Sequence, residues 1–222
     1  MTLQVLKKLI QDKYLHRSKI TECVCGGFKG GWAECDICGH DMDKHYLNTG
    51  HCTDTVGGYT LSSGVKSNLY FDIKGLMCDS NGYAYLYSTL NEFLDNNWQL
   101  RESFNCYGGL ELGGIPIALM RLFGKSCCFI RKQQRIHGLK KMIEGAPRSP
   151  ILLVDDVISS SDTISHAAIL CREEGYEVAG ALCVINRTTN NLEKLWITGE
   201  YPKHPDAMEI PIYSLFKESD FD

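Results

Sequence analysis

Two adjacent carboxylates stand where an apolar run gives way to hydroxyls. Ile151–Thr163 reads ILLVDDVISSSDT. Ile151–Val154 is continuously apolar, the mark of a strand buried on both faces. Asp155 and Asp156 follow, then Ser159, Ser160, Ser161, Asp162 and Thr163. A helical pattern runs from Ile164 to Glu174 and stops at Gly175. In an open α/β sheet, ligands bind beyond the carboxyl ends of the strands. A hydroxyl-rich turn before a helix suits a phosphate, because free backbone N–H groups and the helix dipole point at it. Two acids just upstream suit ribose hydroxyls or a metal-bound sugar. The plainer alternative is an Asp pair that holds a turn, with Ser and Thr as helix caps.

A second cluster is basic. Arg131–Pro150 carries six Lys or Arg together with Gly138 and Gly145, a mobile loop by composition. Taken alone, it reads as a solvated loop. A glycine-rich turn, Gly108–Gly114, precedes the helical pattern Ile115–Phe123.

The third cluster is sulfur. Five of the eleven cysteines (Cys23, Cys25, Cys35, Cys38, Cys52) fall in one 30-residue window with His40, His45 and His51. Cys35-x₂-Cys38-Gly has zinc-knuckle spacing, whereas Cys23-x-Cys25 is tighter than the usual pair. One tetrahedral Zn²⁺ on Cys23, Cys25, Cys35 and Cys38 is the leading expectation, with Cys52 or His45 able to replace one of the tight pair. Two metals, or free thiols on a disordered insertion, are the alternatives. An odd cysteine count, the clustering and an N-terminus unlike a signal peptide point to a reducing cytoplasm and metal binding rather than disulfides.

Several motifs in order carry a family resemblance. Val154–Thr163 resembles the phosphoribosyl-pyrophosphate (PRPP) motif of type I phosphoribosyltransferases. Thr60–Lys74, TLSSGVKSNLYFDIK, resembles the early SG-x-x-S segment and aromatic strand of the orotate phosphoribosyltransferase branch. Gly108–Ala118, GGLELGGIPIA, resembles its pyrophosphate loop. Arg131–Gly138, RKQQRIHG, resembles its catalytic loop, and Val184–Arg187, VINR, the segment whose arginine meets the base. The tail Ile212–Phe221 also matches.

The resemblance implies transfer of phosphoribose from PRPP to a nitrogenous base, orotate by default, giving orotidine 5′-monophosphate and pyrophosphate. Arg131, Lys132, Arg135, His137, Asp155 and Asp156 would be catalytic. Ser159–Thr163 with Gly113 and Gly114 would bind PRPP. Tyr70, Phe71 and Arg187 would meet the base. Mg²⁺ would accompany PRPP, and a homodimer is expected. Cations aimed at the departing pyrophosphate stabilise the transition state more than the ground state, and a lid keeps water from the oxocarbenium-like centre.

Four positions depart from the family pattern. Ser62 stands where a lysine is usual, with Lys66 as a nearby cation. Arg135 replaces the loop lysine and stays protonated near neutral pH. Gly113 stands where a lysine of the pyrophosphate loop is expected, though some members of the family share a Gly-Gly there. Ser161 replaces a glycine, and glycine tolerates positive φ and close backbone approach. These departures keep two other readings in view: a related enzyme for another base, and a PRPP-sensing regulator, which needs no basic lid.

The elements that must position these groups follow from periodicity. Leu3–Leu15 and Tyr83–Leu94 have helical spacing, Asn68–Ile73, Cys127–Ile130 and Val178–Ile185 read as strands, and Lys19–Gly58 has almost no periodic apolar face. Alternating strands and helices imply a mainly parallel sheet flanked by helices. The expected organisation is an N-terminal hood helix (1–18), a Cys/His-rich insertion (19–58) and an α/β phosphoribosyltransferase domain (59–222). The chain's 222 residues suffice for a real core, and 44% hydrophobic with 23% charged residues excludes disorder and coiled coil. No apolar run is long enough to span a membrane. A net charge of −4 argues against a broad nucleic-acid-binding surface.

Overall fold

A computed structural model describes residues 2–17, 59–60, 66–67, 69–133, 141–188, 191–197 and 208–221. By internal contacts the chain divides into two units, one of Met1–Tyr14 with Asp72–Asp222 and one of Leu15–Phe71.

In the larger unit, helix α1 (Thr2–Leu9) continues into a π-turn at Ile10–Tyr14 and buries Leu6 and Ile10. In the smaller unit, β1 (Leu15–Arg17) pairs antiparallel with β4 (Leu69–Phe71). There also β2 (Tyr59–Thr60) pairs with β3 (Lys66–Ser67). The larger unit resumes with α2 (Ile73–Cys78) and α3 (Ser80–Asn96). Asp72 and Asp79 cap these helices by accepting the N–H groups of Gly75 at 2.9 Å and Gly82 at 2.7 Å. Leu86, Leu90 and Leu94, four residues apart, form the buried stripe of α3. Helix α4 (Trp98–Glu102) leads to the sheet.

Among the described residues, seven strands make the main sheet. They are β5 (Cys106–Leu110), β6 (Ser126–Ile130), β7 (Ile143–Gly145), β8 (Ile151–Ile158), β9 (Val178–Asn186), β10 (Lys194–Ile197) and β11 (Met208–Lys217). Their order is β10-β11-β9-β8-β5-β6-β7. The pairs from β11 through β6 are parallel, while edge strands β7 and β10 are antiparallel to their neighbours. Helix α5 (Gly114–Leu119) follows β5, and α6 (Asp162–Glu173) follows β8. On α6, Ile164, Ala167, Ala168 and Cys171 recur at helical spacing and are buried against the sheet, in one cluster with Ile151, Leu153, Ala181 and Cys183. The expected mainly parallel sheet flanked by helices is present.

Numbered among themselves in chain order, the five parallel strands lie 2-1-3-4-5. Their order therefore reverses between β5 and β8. Crevices for ligands open at such switch points, outside the carboxyl ends of the strands.

The details differ from expectation where local pattern and pairing disagree. Strand β8 runs on past Val154 to Ile158, because Asp155, Val157 and Ile158 still pair with β9. The basic segment 131–150 is not all loop. Ile143–Gly145 forms an edge strand on β6, where polar residues are tolerated because one side faces away from the sheet. The helix expected over Ile115–Phe123 ends at Leu119, and a 3₁₀ turn covers Leu122–Gly124.

Candidate active site

The carboxyl end of β8 projects beyond its neighbour. Pairing with β5 ends at Gly109 opposite Val154, whereas pairing with β9 continues to Ile158 opposite Asn186. Asp155–Ile158 thus borders the switch-point crevice, and it holds both predicted acids.

The two acids differ in surroundings. Asp156 is almost enclosed, with 8% of its side chain exposed. Its Oδ1 accepts the backbone N–H of Val157 at 2.9 Å, and its Oδ2 accepts Lys74 Nζ from α2 at 2.5 Å. Asp155 Oδ1 accepts the backbone N–H of Asp156 at 3.0 Å. Burial pushes the Asp155 carboxyl up to about 8, and the neighbouring Asp156 charge pushes in the same direction. Lys132 pulls against that shift. The Asp155 carboxyl therefore keeps its proton to higher pH than an ordinary aspartate does.

Gly113 and Gly114 close the crevice from the β5–α5 side. A Cβ at Gly113 would collide with the Asp156 carboxylate, and one at Gly114 with the Val154 carbonyl oxygen. Gly113 has φ −68° and ψ −30°, so close approach rather than left-handed backbone demands glycine there. Ser161 has φ −73° and ψ −15°, which any residue adopts. The cost expected for serine in place of glycine therefore does not arise from φ. Ser161 makes no side-chain cap bond to α6, so the capping alternative is not realised at that residue. Ser159–Ser161 forms the turn from β8 into α6, and Asp162 and Thr163 are the first residues of that helix.

Arg131 stands at the foot of the basic loop, not in its span. Its N–H donates to Met142 O at 3.0 Å, prolonging the β6–β7 pairing. Its guanidinium donates from Nε to Glu144 Oε1 at 2.5 Å and lies 3.6 Å from Glu111 Oε1. Lys132 N–H donates to Glu111 Oε2 at 3.3 Å. These contacts tie the β6–β7 connection to the glycine-rich turn. Arg135 and His137 lie outside the described residues, as do Ser62 and the predicted zinc ligands Cys23, Cys25, Cys35 and Cys38.

Arg187 follows β9, and its side chain is buried. It donates to Glu218 Oε1 at 2.6 Å, and its backbone N–H donates to Ile158 O at 2.8 Å, next to the end of β8. In the smaller unit, Tyr70 and Phe71 do not share a face. Phe71 is 3% exposed and Tyr70 37% exposed, as strand alternation requires. Tyr70 packs instead beside Tyr59 at 5.5 Å and His16 at 6.2 Å between ring centroids. The two residues therefore cannot both flank one ring.

Among the described residues, no group of three or more His, Cys, Asp or Glu is placed to hold a metal ion, and no helix is long and apolar enough to cross a membrane. Asp155 and Asp156 supply hard oxygen donors of the kind Mg²⁺ takes.

Lys74 was not among the predicted site residues. It sits on a six-residue helix 82 positions from Asp156, and no local spacing links the two. The signal that could have flagged it is the aspartate before it, Asp72, which marks a helix start beside the aromatic strand.

The fold of this chain is similar to that of solved structures. An orotate phosphoribosyltransferase of Mycobacterium tuberculosis covers 100% of this chain and 99% of its own, with TM-score 0.59 and 18% identity. The fold is that of type I phosphoribosyltransferases. An orotate phosphoribosyltransferase of Pyrococcus abyssi is 34% identical over 145 residues, 62% of this chain and 78% of that protein. One from Bradyrhizobium diazoefficiens is 30% identical over 178 residues, 74% of this chain and 87% of that protein. The chain belongs to the orotate phosphoribosyltransferase family. No family model matches it.

Proposed function

We propose that this protein transfers phosphoribose from PRPP to orotate, giving orotidine 5′-monophosphate and pyrophosphate. The observation that carries this reading is the acid pair on the overhang of β8 at the switch point, in a chain with orotate phosphoribosyltransferase relatives.

In this reading the segment Ser159–Thr163 takes the 5′-phosphate on its hydroxyls and on the N–H groups at the start of α6. Asp155 and Asp156 hold the ribose hydroxyls. Gly113 and Gly114 leave room for the pyrophosphate against β8. The bond from ribose C1′ to the pyrophosphate oxygen breaks, and a bond from C1′ to a ring nitrogen of the base forms. Negative charge gathers on the leaving group, where Lys132, Arg135 and His137 serve as cations or donors. Arg131, held by Glu111 and Glu144, fixes the foot of their loop. Mg²⁺ bound with PRPP supplies Lewis-acid stabilisation of the pyrophosphate. Arg187 meets the polar edge of the base.

Residues 19–58 form a structural zinc module in the same reading, on the strength of the Cys35-x₂-Cys38 and Cys23-x-Cys25 spacing. The setting is a cytoplasmic homodimer.

Purified protein given PRPP, Mg²⁺ and orotate should release pyrophosphate and consume orotate in equal amounts. Pyrophosphate release with another base but not with orotate would refute the base assignment. Tight binding of PRPP without turnover on any base would favour a PRPP sensor. Metal analysis should find about one zinc per chain, lost in the double variant Cys35→Ser with Cys38→Ser; a metal-free, active wild type would remove the module.

A further inference from the structure

The turn Glu111–Gly114, which borders the acid pair, offers no cation of its own. Its sequence is Glu-Leu-Gly-Gly, and Glu111 is engaged by Arg131 and by the Lys132 N–H. A side chain at Gly113 would displace the Asp156 carboxylate, because even a Cβ would collide with it. A pyrophosphate held here brings several negative charges against two acids. Any positive charge that meets it beside Gly113 must come from another element.

Lys74 reaches that spot from α2. Asp72 fixes where α2 starts, accepting Gly75 N–H with its side chain while its own N–H donates to Tyr14 O at 2.7 Å. Lys74, in the first turn, then extends along the end of β8 until Nζ lies 2.5 Å from Asp156 Oδ2. The pair is lopsided. The Asp156 side chain is 8% exposed and that of Lys74 47% exposed. An enclosed carboxylate needs a partner, since an unmatched buried charge is costly. A half-open ammonium can keep that partner and still meet an incoming anion, for it is a compact charge with several donors on a flexible stem.

We infer that Lys74 supplies the cation that the Glu111–Gly114 turn does not carry, bridging Asp156 to the pyrophosphate of PRPP. This rests on the PRPP reading above. Before substrate arrives, Lys74 neutralises Asp156. In the complex, the same ammonium contacts both the acid that holds the ribose and the group that leaves. As the C1′–O bond lengthens, the charge on the pyrophosphate rises, and the contact strengthens in the transition state.

The test separates the two halves of PRPP by titrating inorganic pyrophosphate and ribose 5-phosphate separately into wild type and Lys74→Gln. Glutamine leaves Asp156 an N–H donor without the charge, and circular dichroism checks that the fold is kept. Pyrophosphate affinity should fall about 10- to 100-fold, in the range of one charge-assisted hydrogen bond, and ribose 5-phosphate affinity should stay within about twofold. Lys74→Arg should recover most of the pyrophosphate affinity, and it serves as the reporter if Lys74→Gln does not fold: an arginine variant with no pyrophosphate affinity would then overturn the inference. Unchanged pyrophosphate binding in Lys74→Gln also overturns it, as does an equal loss for both ligands, which would make Lys74 only a support for Asp156. Wild type that binds neither ligand overturns the PRPP reading together with this inference.

Discussion

The backbone N–H of Asp156 donates to Asp155 Oδ1 at 3.0 Å, so the two acids are linked, yet their side chains meet different partners. Asp156 is matched by Lys74. Asp155 has burial and a like charge against it, and its carboxyl is pushed up to about 8.

That shift fixes the sign of a stability effect. An acid whose folded value exceeds its unfolded value of about 4 binds a proton preferentially in the folded state. The cost of Asp155 is thus absent below about pH 4 and grows as pH rises toward 8. Asp155→Asn should melt at the same temperature as wild type at pH 4 and several degrees higher at pH 8. A variant that melts lower at pH 8 would show that the ionised carboxylate is favoured.

Proton release should accompany binding. If Asp155 gives up its proton to act as an anion beside Mg²⁺ and PRPP, calorimetry at pH 7 should show a heat that varies with the ionisation enthalpy of the buffer. The dependence should vanish in Asp155→Asn.

Gly113→Ala and Gly114→Ala should fail differently. The methyl at Gly113 meets a side chain, Asp156, which can turn aside at the expense of its bond to Lys74. The methyl at Gly114 meets backbone, the Val154 carbonyl. Gly113→Ala should remove activity with about 1 kcal/mol of destabilisation, whereas Gly114→Ala should cost ~1–3 kcal/mol or more, typical of overpacking. Denaturant unfolding beside steady-state kinetics checks both.

Arg187 and Glu218 make a partly buried pair at 2.6 Å. With Arg187 in the base site, Arg187→Met should weaken orotate binding at least tenfold (by roughly 1.4 kcal/mol or more) and leave PRPP affinity within about twofold. Glu218→Gln should change orotate affinity and not PRPP affinity. Equal effects on both ligands would assign the pair to structure alone.

What the sequence made legible was local. The apolar run before Asp155, the hydroxyl turn and the α6 periodicity lie within a few residues of one another, and hydrophobic pattern with turn chemistry reports on that scale. The pairs Lys74–Asp156 and Arg131–Glu144 were not legible, since each joins elements through the sheet topology. Strand β7 was hidden because an edge strand of three residues within a basic segment has no alternation to read. Tyr70 and Phe71 looked like a pair because they are adjacent, and adjacency in a strand is what separates them.

Lys74 and Asp156 are 82 residues apart, and β5, which carries the Gly113 turn, meets β8 only through parallel, non-local pairing. Contacts of such separation pay a loop-closure cost before they return any stability, so they form late in folding. The pocket for PRPP therefore does not exist until nearly all of the sheet does. A ligand of that kind cannot guide the chain to its fold; it can only hold the finished fold. Added PRPP should slow unfolding while leaving the refolding rate almost unchanged.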